Sequence, residues 1–344
     1  MSELKQTLIN ISEEKQAKIK PENIKVGVQA FDVTGTFTAD ADATENDIAK
    51  DKIAYVNGEK IIGLAEINNN NALFNTLISN GSSSNAGLLQ GLKGISGNFT
   101  TGSNASFIFT SLPNLEYIDG TVDTSNATNM QNAFVNCAKL ERIPELDTRN
   151  VTNMMNIFSG CKALKTVSLL HTESVTTFQQ SFQVATGLES VFLGDTSKAT
   201  NTKNMFANCT ALKIVSDMDL SSVTDATFMF DVCSSLETAP NLKFNTTTEC
   251  SMGAMFRNCT NLKNVPVYDL SMATTWVNSF NSCPNLTYES INNIMATCAT
   301  AGSSYTAAKT LINVGISSSK YDSATIQGLS NYQTFLDAGW TIGF

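Results

Sequence analysis

Residues 158–167 read Phe158-Ser159-Gly160-Cys161-Lys162-Ala163-Leu164-Lys165-Thr166-Val167, and the frame of this stretch returns along about half of the chain. Phenylalanine begins each copy, cysteine follows three residues later in most copies, leucine six residues later, and an aliphatic residue usually nine residues later. The phenylalanines stand at Phe109, Phe134, Phe158, Phe182, Phe206, Phe230, Phe256 and Phe280, so consecutive copies lie 24 to 26 residues apart. A repeat of this length is typical of a solenoid of the leucine-rich-repeat type, in which each unit buries its apolar side against its neighbours.

Two of the repeated positions are predicted to face the interior as a structural ladder. Its members are Phe134, Phe158, Phe182, Phe206, Phe230, Phe256, Phe280, Cys137, Cys161, Cys209, Cys233, Cys259 and Cys283. Leu112 and Ala185 occupy the cysteine position in the other two repeats, so the position behaves as an apolar site and not as half of a disulfide. The pattern therefore predicts buried free thiols and folding in a reducing compartment.

Composition and charge limit the classes of function. The chain has 42% hydrophobic and 15% charged residues, as a folded protein does, and a net charge of -9. An acidic chain without a run of Lys and Arg predicts no nucleic-acid partner, because phosphate binding needs cationic side chains. The N-terminus lacks the basic-then-apolar layout of a secretory signal, and no apolar run is long enough to span a bilayer. We therefore expect neither export by that route nor membrane insertion.

Changes in composition divide the chain into four parts. Residues 1–65 predict an N-terminal docking segment that contains a helix over 1–18 and small β-strand pairs, one of them around Asn57-Gly58. The Asn- and Ser-rich residues 66–106 predict a linker and an N-terminal cap. Residues 107–290 predict the solenoid, and residues 291–344 an α/β C-terminal cap, entered through a helix over 288–299.

Within each repeat, the sequence predicts three local elements. A polar turn comes first, then a short helix that leads into Phe158 and its equivalents, and then a parallel strand after Leu164 and its equivalents. The predicted fold class is therefore α/β, a leucine-rich-repeat solenoid of about eight 24-residue rungs.

Candidate catalytic and metal-ligating residues each have a structural alternative. His171, the one histidine, stands where other repeats carry aspartate, and no nucleophile or orienting acid accompanies it. The aspartates at this position are Asp123, Asp147, Asp195, Asp219 and Asp269. Carboxylates are suitable ligands for Ca²⁺, but these aspartates precede turn residues, and their carboxylates can accept hydrogen bonds from the backbone N–H groups of those residues. We predict that the protein is not an enzyme and that it binds no cofactor and no metal. The alternative is a cation site at the aspartates.

Two columns of residues follow the ladder leucines and are candidates for the outward face. The first mostly alternates in charge: Glu116, Glu141, Lys165, Glu189, Lys213, Glu237, Lys263 and Thr287. The second is a polar and aromatic strip whose composition suits the binding of a sugar or a protein: Tyr117, Arg142, Thr166, Ser190, Thr238, Asn264 and Tyr288. The sequence does not decide strand parity, so either column is a candidate for the exposed surface.

The consensus of the repeat is Asp147-Thr148-x-Asn150-Val151-Thr152-Asn153-Met154-x-x-x-Phe158-x-x-Cys161-x-x-Leu164. It resembles the BspA-type leucine-rich repeats of bacterial surface proteins over about half of the chain. Departures from the pattern are Leu112, Ala185, His171 and two additional residues before Phe256. The resemblance implies a repeat protein whose surface binds partners.

An ordered set of short motifs precedes the repeats. It comprises Lys20-Pro21-Glu22-Asn23-Ile24-Lys25-Val26-Gly27-Val28, Phe31-x-Val33-Thr34-Gly35-Thr36-Phe37, Ala41-Asp42-Ala43-Thr44 and Ala54-Tyr55-Val56-Asn57-Gly58-Glu59-Lys60-Ile61-x-Gly63. In this order the motifs resemble the N-terminal segment of tail-fibre, baseplate and other virion proteins of phages that infect Firmicutes. The closing Ala338-Gly339-Trp340-Thr341-Ile342 is similar to the end of phage-encoded repeat proteins.

Together the resemblances imply a non-enzymatic bacteriophage virion protein of the tail fibre, baseplate or capsid surface, assembled in the host cytoplasm. The implied partners are other virion proteins at the N-terminal segment, a host cell-surface glycan or protein at the solenoid, and further copies of the chain, for example in a trimer. The alternative is a bacterial cell-surface adhesin of the BspA type. A less favoured hypothesis is a glycan-cleaving enzyme, because such an enzyme needs a pair of carboxylates that the sequence does not reveal.

Overall fold

The computed structural model describes residues 28–30, 33–35, 53–56, 59–62, 93–245, 247–307, 309–311 and 321–342. Two antiparallel strand pairs come first: β1 (Val28–Ala30) with β2 (Val33–Gly35), and β3 (Ile53–Val56) with β4 (Glu59–Ile62). The pairing of Val56 with Glu59 confirms the hairpin predicted around Asn57-Gly58. The helix predicted over 1–18 lies outside the described residues.

From residue 93 the chain winds into a solenoid of parallel rungs. Its strands are β5 (Gly94–Thr100), β6 (Tyr117–Asp123), β7 (Thr166–Leu170), β8 (Ser190–Leu193), β9 (Ile214–Val215), β10 (Met218–Leu220), β11 (Leu242–Phe244), β12 (Cys250–Ser251) and β13 (Ala273–Thr275). Val167 pairs with Val191 and Val191 with Val215, so one repeat of the sequence makes one rung. Isolated parallel bridges join a second ladder that runs through Asn104, Asn129, Asn153, Thr177, Asn201, Asp225 and Ser251. The chain is therefore a repeat solenoid.

The ladder phenylalanines form one continuous stack inside the solenoid. From Phe109 to Phe280, successive ring centroids lie 5.1 to 5.6 Å apart and each pair is stacked. The rings are almost fully buried. An aromatic pair of this kind adds roughly 0.5 to 1.5 kcal/mol to the stabilisation from burial alone. The stack therefore couples each rung to both of its neighbours.

The ladder cysteines are buried free thiols that donate hydrogen bonds to main-chain carbonyls of the preceding rung. The Sγ of Cys161 lies 3.1 Å from the carbonyl oxygen of Phe134, and the Sγ of Cys209 lies 3.0 Å from that of Phe182. The same bond recurs at Cys137, Cys233, Cys259 and Cys283. Burial raises the pKa of the Cys137 thiol to about 12. These thiols are structural, since a reactive cysteine needs a stabilised thiolate.

The short helix predicted before each ladder phenylalanine is wrong, because the structure has a chain of turns there. Asn156 and Gly160 have positive φ angles of 55° and 76°, and equivalent residues in other rungs do the same. Alternate backbone N–H groups donate to carbonyls of the next rung, as Asn156 does to Gln179 at 3.0 Å. The N–H groups between them close turns within the rung, as Ile157 does by donating to the carbonyl of Met154. An α-helix permits neither feature. No helix occurs in the described part of residues 93–287, so α/β does not describe the rungs.

The ordered rungs begin earlier than the predicted 107. β5 lies inside the stretch that was expected to be linker and cap, yet it pairs with β6 in register from Gly94 with Tyr117 to Thr100 with Asp123. Ile95 and Phe99 of this strand are buried. This strand could not be recognised in the sequence, because its residues lack the repeated Phe, Cys and Leu frame. Residues 66–92 lie outside the described part of the chain.

In the described residues after the last rung, the structure has three helices and a strand pair. They are α1 (Tyr288–Ala299), α2 (Ser323–Gln327), α3 (Tyr332–Asp337), and β14 (Thr310–Leu311) paired in parallel with β15 (Thr341–Ile342). The helix predicted over 288–299 is confirmed, and the side chain of Thr287 caps it by accepting the N–H of Ser290. One face of α1 is buried, with Ile291, Ile294, Met295 and Cys298. The Tyr321 hydroxyl lies 2.6 Å from the carbonyl oxygen of Leu286, which ties this region to the last rung.

Candidate binding surface

Both columns that follow the ladder leucines lie on the surface, and the pairing of β7 with β8 places the polar and aromatic strip on the sheet itself. Val167 and Val191 are buried, whereas their neighbour Thr166 is exposed and Ser190 is half-buried. The polar and aromatic strip therefore lies on the outer surface, and each predicted member of it is exposed or half-buried: Tyr117, Arg142, Thr166, Ser190, Thr238, Asn264 and Tyr288. Thr166 pairs with Ser190, and Thr238 with Asn264, so these members lie side by side.

Some of the predicted strip is occupied by contacts within the chain. Arg142 forms an exposed ion pair with Asp119 at 3.1 Å. The Tyr288 hydroxyl accepts the N–H of Asp322 at 3.2 Å, and its ring packs edge-on against Tyr321. Tyr288 therefore belongs to the packing of the C-terminal helices. The open part of the strip is centred on β7, β8 and β9.

Four of the alternating charges beside the strip form ion pairs between rungs. Lys213 lies 2.9 Å from Glu189, and Lys263 lies 2.9 Å from Glu237. The hydrogen bond from Lys213 lowers the pKa of the Glu189 carboxyl. Exposed pairs of this kind contribute little to the stability of a fold, because solvent screens them. Their main consequence here is that the charges of these four side chains compensate one another in pairs.

Two large apolar side chains on this face were missed by the sequence reasoning. Ile214 is 55% exposed and occupies the strip position of its own rung, beside Ser190. Phe192 is 46% exposed and follows two residues after Ser190 in β8. Ile214 was detectable as a break in the polar pattern of the strip. The exposure of Phe192 could not be predicted from the repeat pattern, because it depends on which alternate residues of β8 point outward.

The repeated aspartates close turns. Asp123, Asp195 and Asp269 accept the N–H of the residue two positions later at 3.0, 2.8 and 2.7 Å. Asp147 also binds the guanidinium of Arg149, whose hydrogen bonds lower the pKa of the carboxyl to about 2. The threonine that follows several of them is buried and donates to a carbonyl of the next rung, as Thr148 does to His171 at 2.8 Å. These aspartates thus have a structural role.

Among the described residues, the other candidate positions do not form a catalytic or metal-binding arrangement. The His171 Nδ1 lies 3.4 Å from Glu173 on the exposed surface. No cluster of three or more His, Cys, Asp and Glu residues suited to a metal ion occurs in the part of the chain that the structure describes. A shallow groove of about 300 Å³ runs over β10 and β11 between Asp217, Asp219, Asn241 and Lys243. Its polar groups already pair with one another, since Asn241 donates to Asp217 and Lys243 binds Asp219 at 2.7 Å.

The repeats match a known family. Two overlapping stretches, residues 103–213 and 191–294, match the model of the family described as "Mycoplasma protein of unknown function, DUF285". Together they run from 103 to 294 and cover more than half of the 344 residues. The chain belongs to this family. No curated protein and no solved structure is significantly similar to it.

The DUF285 match and the stacked rungs together fit a BspA-type repeat protein. The matched residues contain the whole strip from Tyr117 to Tyr288 and the whole phenylalanine stack from Phe109 to Phe280. Strands β1 to β4 and helices α2 and α3 lie outside the match. Among the described residues of this DUF285 protein, no helix is both long and apolar enough to cross a membrane.

Proposed function

We propose that this protein is a non-enzymatic virion protein of a bacteriophage, placed at the tail fibre, the baseplate or the capsid surface, whose solenoid attaches to the host surface. The observation that carries the proposal is the outer face of the three-stranded parallel sheet β7, β8 and β9, which presents side chains such as Thr166, Ser190 and Ile214 side by side. A face of this kind suits adhesion to an extended partner. The ordered motifs in residues 20–63, which resemble phage virion segments, support the virion setting.

The N-terminal strand pairs support docking to other chains. β1 with β2 and β3 with β4 are two-stranded units of three or four residues per strand. A two-stranded hairpin is at best marginally stable alone in water, so each pair needs further contacts. We assign those contacts to other virion proteins or to other copies of this chain, for example in a trimer. Assembly then takes place in the host cytoplasm, where the buried thiols stay reduced.

The C-terminal helices are proposed to cap the solenoid. The last rung would otherwise expose apolar side chains and an unpaired strand edge. α1 places Ile291 and Ile294 in the buried core, and Ser290 donates to the carbonyl of Lys263 at 2.7 Å. These contacts replace those that a further rung would make.

A bacterial cell-surface adhesin of the BspA type is the second candidate. DUF285 membership and the repeat solenoid favour it. The two candidates place the chain on different particles, so localisation separates them.

Immunogold labelling with an antibody against the full chain tests the virion proposal. We expect gold on the tail or head of phage particles from a strain that carries the gene, and none on particles whose gene is deleted. Deletion is also expected to reduce adsorption of the particles to host cells. Unlabelled particles together with gold on the envelope of uninfected bacteria would establish the adhesin instead.

A further inference from the structure

The outer face of β7, β8 and β9 carries two large apolar side chains in a polar setting. Val191 and Leu193 are buried on either side of Phe192, so the Phe192 ring points away from the core. Ser190 pairs with Ile214 in the next strand, which places Ile214 one strand across and two residues back from Phe192. With strands ~4.8 Å apart and ~3.3 Å per residue, the two Cα atoms are roughly 8 Å apart. The pair forms a small apolar platform.

Hydroxyl groups border this platform. Thr166 lies beside Ser190 on the neighbouring strand. The Ser216 Oγ accepts the N–H of Leu193 at 3.0 Å, which fixes the hydroxyl between the strands and leaves its own hydrogen to be donated. Hydroxyls of this kind both donate and accept hydrogen bonds. The face therefore combines an apolar platform with fixed polar groups at its margin.

The lysines next to the platform lie near one carboxylate: Lys213 and Lys165, the residue before Thr166, both act electrostatically on Glu189. Lys213, the residue before Ile214, is held 2.9 Å from Glu189, the residue before Ser190. An anionic polymer would need cations that are not already paired. The exposed apolar area here comes from only two side chains, whereas a stable protein interface buries roughly 800 Å² per partner around a larger set of anchors. A neutral ligand with its own hydroxyls and an apolar ring face fits these features best.

We propose that the face defined by Thr166, Ser190, Phe192, Ile214 and Ser216 binds a neutral glycan of the host surface, an inference that rests on the attachment function proposed above. The C–H face of a sugar ring packs on Phe192 and Ile214. The sugar hydroxyls exchange hydrogen bonds with the hydroxyls of Thr166, Ser190 and Ser216. Binding is non-covalent, and the glycan is left intact.

A double variant, Phe192→Ser with Ile214→Thr, tests the platform without disturbing the sheet. Ser216 is the neighbour of Phe192 in the next rung and Thr238 is the equivalent of Ile214, so this solenoid already accommodates both residue types in these columns. Val267→Thr is the matched control, because Val267 is 52% exposed and lies outside the face. Equal thermal unfolding midpoints of all three proteins establish that the fold is retained.

The probe is an array of defined neutral oligosaccharides together with sulfated and phosphorylated ones. The native protein and Val267→Thr are expected to bind at least one neutral oligosaccharide, and the double variant at least tenfold more weakly. Equal binding by the double variant overturns the proposal. So does binding confined to the anionic probes, or binding to none of the array.

Host-cell binding distinguishes this inference from the function on which it rests. Native protein that binds cells equally before and after periodate oxidation of their glycans, but loses binding after protease treatment, has a protein receptor. That outcome overturns the glycan inference and leaves attachment in place. Sugar binding on the array, combined with virions that carry no label, supports the inference and overturns the virion assignment.

Discussion

The folded protein is expected to lose stability steeply as the pH rises above about 9. All eight cysteines are buried free thiols. Burial raises the pKa of Cys137, Cys250 and Cys283 from the ordinary 9.0 to about 12, and that of the other five in the same direction. A group whose pKa is raised on folding stabilises the fold fully below its unfolded pKa, and this stabilisation falls as the pH approaches the folded pKa.

The size of the effect follows from proton linkage. At pH 10 each buried thiol destabilises the folded state by roughly 1.4 kcal/mol relative to pH 7, so eight thiols together give about 11 kcal/mol. This is comparable with the whole stability of a typical protein, about 5 to 15 kcal/mol. Under reducing conditions we therefore expect unfolding near pH 10, measured by urea denaturation at a series of pH values.

A variant with fewer ladder thiols is the control. Cys161→Ala, Cys209→Ala and Cys233→Ala together place alanine where Ala185 already stands in another repeat. The variant is expected to lose roughly 4 kcal/mol less than the native protein between pH 7 and pH 10. An identical pH dependence in both proteins, or thiols that titrate near pH 9 in the folded protein, would contradict the buried ladder.

Phe182→Ala is expected to be strongly destabilising at neutral pH. Phe182 lies in the middle of the stack, with ring centroids 5.6 Å from Phe158 and 5.3 Å from Phe206, and it is 1% exposed. Removing a buried phenylalanine costs about 3 to 5 kcal/mol through lost burial and the cavity left behind. Because each rung contacts only its neighbours, we also expect the rungs on the two sides of the cavity to separate in their unfolding.

Urea unfolding measures both effects. Phe192→Ala is the matched control, since that phenylalanine lies on the outer surface and its truncation is expected to change stability by only about 0.5 kcal/mol. A loss of stability in Phe182→Ala no larger than that in Phe192→Ala would show that the phenylalanines do not form the core.

The regular interior could be read from the sequence because it depends on spacing within one repeat. Phe158, Cys161 and Leu164 recur at constant offsets, and such offsets return each side chain to the same place in the next rung. Asp147 was also readable, because the bond to the N–H of Arg149 is local. These features need no knowledge of which other segments lie nearby.

The features that escaped prediction depend on contacts between rungs. The residues that lead into Phe158 were expected to form a short helix, but Asn156 donates to the carbonyl of Gln179 in the next rung. That bond is not visible in the local sequence. Phe192 was overlooked for a related reason, since its exposure follows from the parity that the β7–β8 pairing imposes. β5 was overlooked as well, because it is stabilised by its pairing with β6 and its sequence lacks the repeat pattern.

The most direct test of the solenoid account compares Asn156→Gly with Asn156→Ala, and likewise at Asn204, by urea unfolding. Both asparagines have positive φ angles, 55° and 54°, inside the turns that replace the expected helix. We expect the glycine variant to be more stable than the alanine variant by about 1 to 2 kcal/mol, because alanine is strained in this conformation. In a helix the order reverses, and alanine is favoured by roughly 0.5 to 1 kcal/mol. Greater stability of the alanine variants would contradict the account.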